Sequence, residues 1–182
     1  MELWLRTPDD LQPTNREGVD RFFSPEPHDS NLHVSDTILF EGNNIIGAYV
    51  YIRDGATQRT GIAHLGTVDW IFVECETWSM IPLENLIAHR GGTHTKIAAM
   101  ISTPLEAQGA GFALQEGVDA LVINNEPTML EAALSVKAQR LERAGPAQTF
   151  SQQSMQAIDL TSFSIESVEE AGVGDRYCLD FL

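Results

Sequence analysis

"VDWIFVECETWSMIPLENLIAHR", residues 68–90, runs from an apolar segment, Trp70-Ile71-Phe72-Val73, through a polar junction into a second apolar-rich segment opened by Pro82. The first part has the length and composition of a buried strand. The second has a proline in its first turn and apolar residues at helical spacing, so it reads as a helix. The same alternation continues on both sides. Residues 46–52, 68–74, 95–101 and 118–124 read as strands, and residues 54–66, 82–90, 103–117 and 126–145 as helices. Strands alternating with helices predict a parallel sheet with crossover connections, an α/β fold built as a (βα) parallel sheet or partial barrel.

The last helix is the clearest, because Met129, Leu130, Ala133, Leu134, Val136 and Leu141 recur near the helical period, with Pro127 at its start and Gly145-Pro146 at its end. A short internal repeat supports successive units of one type. "LGTVDWIFVE" (65–74) and "EGVDALVIN" (116–124) share a glycine, a Val-Asp pair and an apolar strand. In each copy the glycine is expected in the left-handed conformation that ends a helix, and the aspartate is expected to hydrogen-bond across the turn.

The ends of the chain differ from this middle. Residues 2–6 ("ELWLR") and 35–41 ("SDTILFE") read as two further strands, while 24–31 ("SPEPHDSN") is rich in turn formers. Residues 146–155 are polar and linker-like, and 156–182 alternate in β fashion around the turn "AGVGD" (171–175). The expected division is a (βα) domain over 1–145, a linker, and a β-hairpin over 156–182 that begins a truncated second domain. A hairpin needs further strands to be stable, and an open β edge there would favour association with a second copy.

Composition excludes several classes of function. The 182 residues carry 26 Asp+Glu against 11 Lys+Arg, a formal charge of −15, which repels nucleic acid and anionic lipid. No stretch approaches the roughly 20 apolar residues of a membrane span, and "MELWLRTPDD" lacks a basic region followed by an apolar one, so a cytoplasmic protein is expected. Cys75 and Cys178 lie far apart, suit free thiols, and form no C-x-x-C pair, so no metal site is expected. His89 and His94 do not share a helix face. "GAGF" (109–112) falls inside a helical pattern and is not a dinucleotide fingerprint.

In parallel α/β folds ligands collect at the C-terminal ends of the strands, where helix N-termini can also hold anions. That rule places Glu74, Glu76, Trp78 and the Pro82-Leu83-Glu84-Asn85 turn on the functional face, with Asn124, Asn125 and Glu126 after the next strand. The same residues also suit purely local roles: Pro82 in a first turn, Glu84 at a positive helix end, Trp78 plugging the core and Asn124 or Asn125 as an N-cap. Arg176 in "GVGDRYCLD" (172–180) could hold a phosphate or carboxylate, or simply pair with Asp175 at the surface.

"WSMIPLENLIAH", "GVDALVINNEPTMLEAA" and "VEEAGVGDRYCLDFL" together, in this order and spacing, resemble the 3-dehydroquinate synthase II family, from about Ile45 to the end of the chain. This is the archaeal-type enzyme, unrelated to the usual bacterial dehydroquinate synthase, and a side branch makes 3-amino-4-hydroxybenzoate. The resemblance implies NAD-dependent oxidative deamination of 2-amino-3,7-dideoxy-D-threo-hept-6-ulosonate, a sugar acid, and its cyclisation to 3-dehydroquinate in aromatic amino acid biosynthesis. Such chemistry needs an acid–base group, a hydride acceptor and polar groups that fold the open chain. On this reading Glu84 and Glu74 carry the catalysis, Asn85 and Asn124 meet substrate hydroxyls, and Asp175 and Arg176 orient the anionic end. Ser79-Met80 stands where the family pattern has a lysine, and family chains are nearly twice as long. Two other readings remain open: a non-catalytic paralogue that binds a sugar acid or a full-length partner, and a phosphate-binding aldolase-type barrel.

Overall fold

The computed structural model describes residues 1–7, 17–24, 31–77 and 79–143. They form eight strands and four helices: β1 (Glu2–Arg6), β2 (Arg21–Phe23), β3 (Leu32–Ser35), β4 (Ile38–Glu41), β5 (Asn44–Ile52), α1 (Gly55–His64), β6 (Trp70–Cys75), α2 (Met80–Arg90), β7 (Lys96–Ile101), α3 (Pro104–Phe112), β8 (Ala120–Asn124) and α4 (Pro127–Arg143). The strands follow chain order around a closed barrel, and β8 returns to pair with β1 in parallel, Glu2 opposite Ala120 and Arg6 opposite Asn124. β4 alone runs against the rest, antiparallel to both β3 and β5.

The parallel α/β expectation holds, with one correction to its extent: the barrel is closed, not partial. Closure comes from four strands in the first 41 residues, where the sequence suggests two. The expected strand 35–41 is split by a turn at Asp36, whose φ of 54° breaks the extended run and sends the chain back as β4. β2 is only three residues long, too short for a period-2 pattern to stand out. The helix expected over 103–117 stops at Phe112, and a 3-10 turn over Ala113–Gln115 follows, with Leu114 at φ 51°. In α4, Met129, Ala133 and Val136 are buried as their spacing predicts, but Leu141 is 75% exposed. The linker and hairpin expected beyond residue 145 lie outside the described residues.

Alternation along each strand separates two apolar layers. Trp4, Phe23, Leu32, Leu39, Trp70, Phe72, Ala98, Ala120 and Val122 form one cluster inside the barrel, where Trp4 and Trp70 meet at 4.7 Å between ring centroids. Leu3, Leu5, Ile71, Val73, Ile97, Ile101, Leu121 and Ile123 face outward and pack under Leu83, Leu86, Ile87, Ala107, Ala110, Met129 and Ala133 of the helices. The barrel is therefore filled, and its free space lies at its rim.

Both repeat glycines take the expected left-handed conformation, Gly66 at φ 82° and Gly117 at φ 68°. At Gly117 a Cβ would also lie 2.1 Å from the Gly111 carbonyl oxygen. The aspartates diverge. The Asp119 carboxylate accepts from the Ile97 N–H at 2.9 Å and pairs with Arg90, whereas the Asp69 side chain is exposed and only approaches His94, at 3.8 Å.

Candidate active site at the strand C-termini

A cavity of about 290 Å³ opens where β1, β6, β7 and β8 end, lined among the described residues by Arg6, Glu74, Cys75, Glu76, Thr77, Ser79, Met100, Ser102, Glu106 and Asn124. These strands are neighbours in the barrel, so residues far apart in sequence converge: Arg6 and Asn124 are register partners, and β7 lies between β8 and β6. The lining contains three carboxylates, Glu74, Glu76 and Glu106, against one guanidinium, Arg6.

Glu74 continues the inward-facing series Trp70, Phe72 to the tip of β6, above the apolar filling. Its Oε2 accepts a hydrogen bond from the Tyr49 hydroxyl at 2.9 Å, and the Tyr49 ring packs against Phe72 at 5.3 Å. Tyr49 is held above its ordinary pKa, chiefly by burial and next by its bond to the Glu74 carboxylate, so it stays a donor at neutral pH. Cys75 points outward from the same strand. Burial, followed by the charges of Glu106 and Glu74, pushes its thiol up to about 12, which leaves it protonated and a poor nucleophile.

Two helix N-termini border the cavity in different states. At α3, the Thr103 hydroxyl accepts from the Glu106 N–H, and the Glu106 carboxylate accepts from the Ser102 and Thr103 N–H groups at 2.8 and 3.1 Å. Glu106 is thereby committed to closing its own helix. At α2, Ser79 is the N-cap but makes no side-chain capping bond.

Of the residues singled out from sequence, Glu74, Glu76 and Asn124 line the cavity and come together there. Glu84 and Asn85 are half-buried within α2, beside the buried Leu83 and Leu86, and are not among the described lining residues; the Asn85 carbonyl contacts His89 Nδ1 at 2.7 Å. Trp78, Asp175 and Arg176 lie outside the described residues. Sequence reasoning missed Arg6, Tyr49, Ser79 and Glu106. Arg6 was within reach, since it ends a strand already recognised; Tyr49 needed the pairing register of β5 with β6.

Fold and cavity together define an α/β-barrel protein with an acidic, strand-tip pocket suited to a small polar molecule. The family profile of the 3-dehydroquinate synthase II N-terminal domain matches residues 14–136, and the chain belongs to that family. Among its relatives, the 3-dehydroquinate synthase of Methanocella arvoryzae is 30% identical over 159 residues, covering 85% of this chain and 38% of the relative. That of Methanothrix thermoacetophila is 28% identical over 167 residues (87% and 43%), and that of Halobacterium salinarum 32% over 134 residues (73% and 31%). The chain thus spans less than half the length of these curated relatives. No solved structure matches it significantly. Among the described residues no helix is long and apolar enough to cross a membrane.

Proposed function

We propose that the barrel binds an amino-bearing sugar acid and acts in a 3-dehydroquinate synthase II reaction: oxidative deamination of 2-amino-3,7-dideoxy-D-threo-hept-6-ulosonate followed by ring closure to 3-dehydroquinate. The observation that carries this reading is the presence of both Arg6 and Glu74 in the lining of one small cavity in a chain of that family. A substrate with a carboxylate and an ammonium group at one end needs a cation and an anion set apart, and these two residues sit on β1 and β6 with β7 and β8 between them. Arg6 is suited to the carboxylate. Glu74, oriented by the Tyr49 hydroxyl, is suited to hold the ammonium and to accept a proton as the carbon–nitrogen bond changes order. Asn124 is suited to a chain hydroxyl. In this reading the acid–base work belongs to Glu74 ahead of Glu84.

NAD is the hydride acceptor that this chemistry calls for. The described residues do not by themselves fit it: the cavity is at the lower limit of ordinary ligand pockets, roughly 300 Å³, and three carboxylates oppose a pyrophosphate. An aldolase-type reading is less well supported, because such an enzyme uses a lysine nucleophile and none lines the described cavity. A binding role without turnover is favoured by Ser79-Met80 at the position of the family lysine. The purified chain, NAD and the amino-heptulosonate are mixed, and NADH absorbance and ammonia are followed together. Stoichiometric release of both supports the enzyme. Saturable binding of the sugar acid without ammonia at high protein concentration replaces it with the binding role.

A further inference from the structure

We infer that the N-terminus of α2, with Ser79, is an oxyanion subsite of the cavity. Three observations meet there. Ser79 lines the cavity and is only 4% exposed, yet its Oγ is buried with no hydrogen-bond partner. Buried hydroxyls are almost always bonded, so an orphan in a cavity wall points to a group that arrives from the cavity. Second, Ser79 is an N-cap in name only. Its φ of −84° and ψ of −17° are helical, and its side chain makes no capping hydrogen bond, whereas the N-caps of α1 and α3, Asp54 and Thr103, are extended and closed by capping boxes.

Third, the first turn of α2 contains no acidic residue. Pro82 has no N–H, and the Leu83 N–H is already bonded to the Ser79 carbonyl at 3.0 Å. Helix geometry leaves the Met80 and Ile81 N–H groups without intrahelical acceptors, at the positive end of an 11-residue helix. Two N–H donors beside a buried, unpartnered hydroxyl make a donor set for an oxyanion. The other helix end at the cavity offers nothing comparable, because Glu106 occupies it. The inference rests on the cavity being the ligand site proposed above. The oxyanion is a phosphate if the ligand is phosphorylated; if it is the single carboxylate of the sugar acid, that group seats here in place of the Arg6 position given above.

The test is binding, independent of turnover. Amide resonances of the ¹⁵N-labelled full chain are followed during titration with inorganic phosphate and, separately, with acetate. The expected result is a saturable shift of Met80 and Ile81 with at least one anion, while Ser102 and Thr103 stay still because Glu106 already fills their site. Ser79→Asp places a tethered carboxylate over the same N–H groups and is expected to weaken that binding at least tenfold; Ser79→Ala, which keeps the amides, weakens it severalfold. The stronger of the two anions identifies the kind of oxyanion. Absence of a saturable shift at these amides, or an equal one in Ser79→Asp with its spectrum otherwise native, overturns the inference. Saturable binding in a chain that releases no ammonia leaves it standing and sinks only the catalytic reading.

Discussion

Tyr49 and Glu74 show how a barrel interior hands over from packing to chemistry. The tyrosine ring belongs to the apolar filling through Phe72, and its hydroxyl fixes the carboxylate one layer higher. If Glu74 is the acid–base group, Glu74→Gln lowers kcat by about 100-fold, whereas Glu84→Gln leaves it within about threefold; steady-state assays of the two variants decide between them, and the reverse order would move the role to Glu84. Tyr49 also carries a pH signature. Its folded pKa is raised above the ordinary phenol value of about 10 by burial and by the Glu74 carboxylate, so the protonated phenol is the form the fold favours. That contribution to stability is intact below pH 10 and is lost as the solution becomes more alkaline. Urea midpoints measured near pH 9 and near pH 11 are expected to fall further apart in the wild type than in Tyr49→Phe. Equal falls would show that the phenol is not linked to folding.

At the scale of elements, the helix starts distinguish structural from functional ends. Thr103 completes a capping box on α3, so Thr103→Ala is expected to cost about 1 kcal/mol in a denaturant melt. Gly117 shows the same economy at a helix-to-strand turn. Alanine there must adopt a φ of 68° and crowd the Gly111 carbonyl, and Gly117→Ala is expected to destabilise by about 2 kcal/mol or more. Elements of this kind were legible in the sequence. The helices announce themselves through Pro82, Pro127 and their apolar spacing, and the repeated glycine followed by a Val-Asp pair marks the turns before the strands. Short strands were not legible, since three or four residues cannot display a period and the hairpin of β3 and β4 turns on Asp36 instead of a glycine. The site was half legible. Glu74 and Asn124 follow from the strand-tip rule alone, but Glu84 and Asn85, expected in the first turn of a helix opened by Pro82, lie two residues deeper in α2 because Met80 and Ile81 begin the helix before Pro82.

Across the molecule, the aromatic filling ties opposite walls together. Trp70 is buried and touches Trp4 from the far side of the β7–β8 pair, while the Arg21 guanidinium lies 5.6 and 5.5 Å from the two ring centroids and bonds Glu2 at 2.9 Å. Trp70→Ala removes the contact that spans the interior and is expected to cost about 3–5 kcal/mol, read as a drop in the urea midpoint. An acidic surface adds a general repulsion, which the charge of −15 makes sensitive to ionic strength.

The seam between β1 and β8 sets a timetable for biosynthesis. Glu2 finds its neighbour at Ala120, so the opening strand leaves the ribosome long before its companion exists. Until then its apolar residues have only the β2 side to lean on, a nascent intermediate that chaperones would be expected to hold, and the last ring of hydrogen bonds closes only after nearly all of the barrel has emerged.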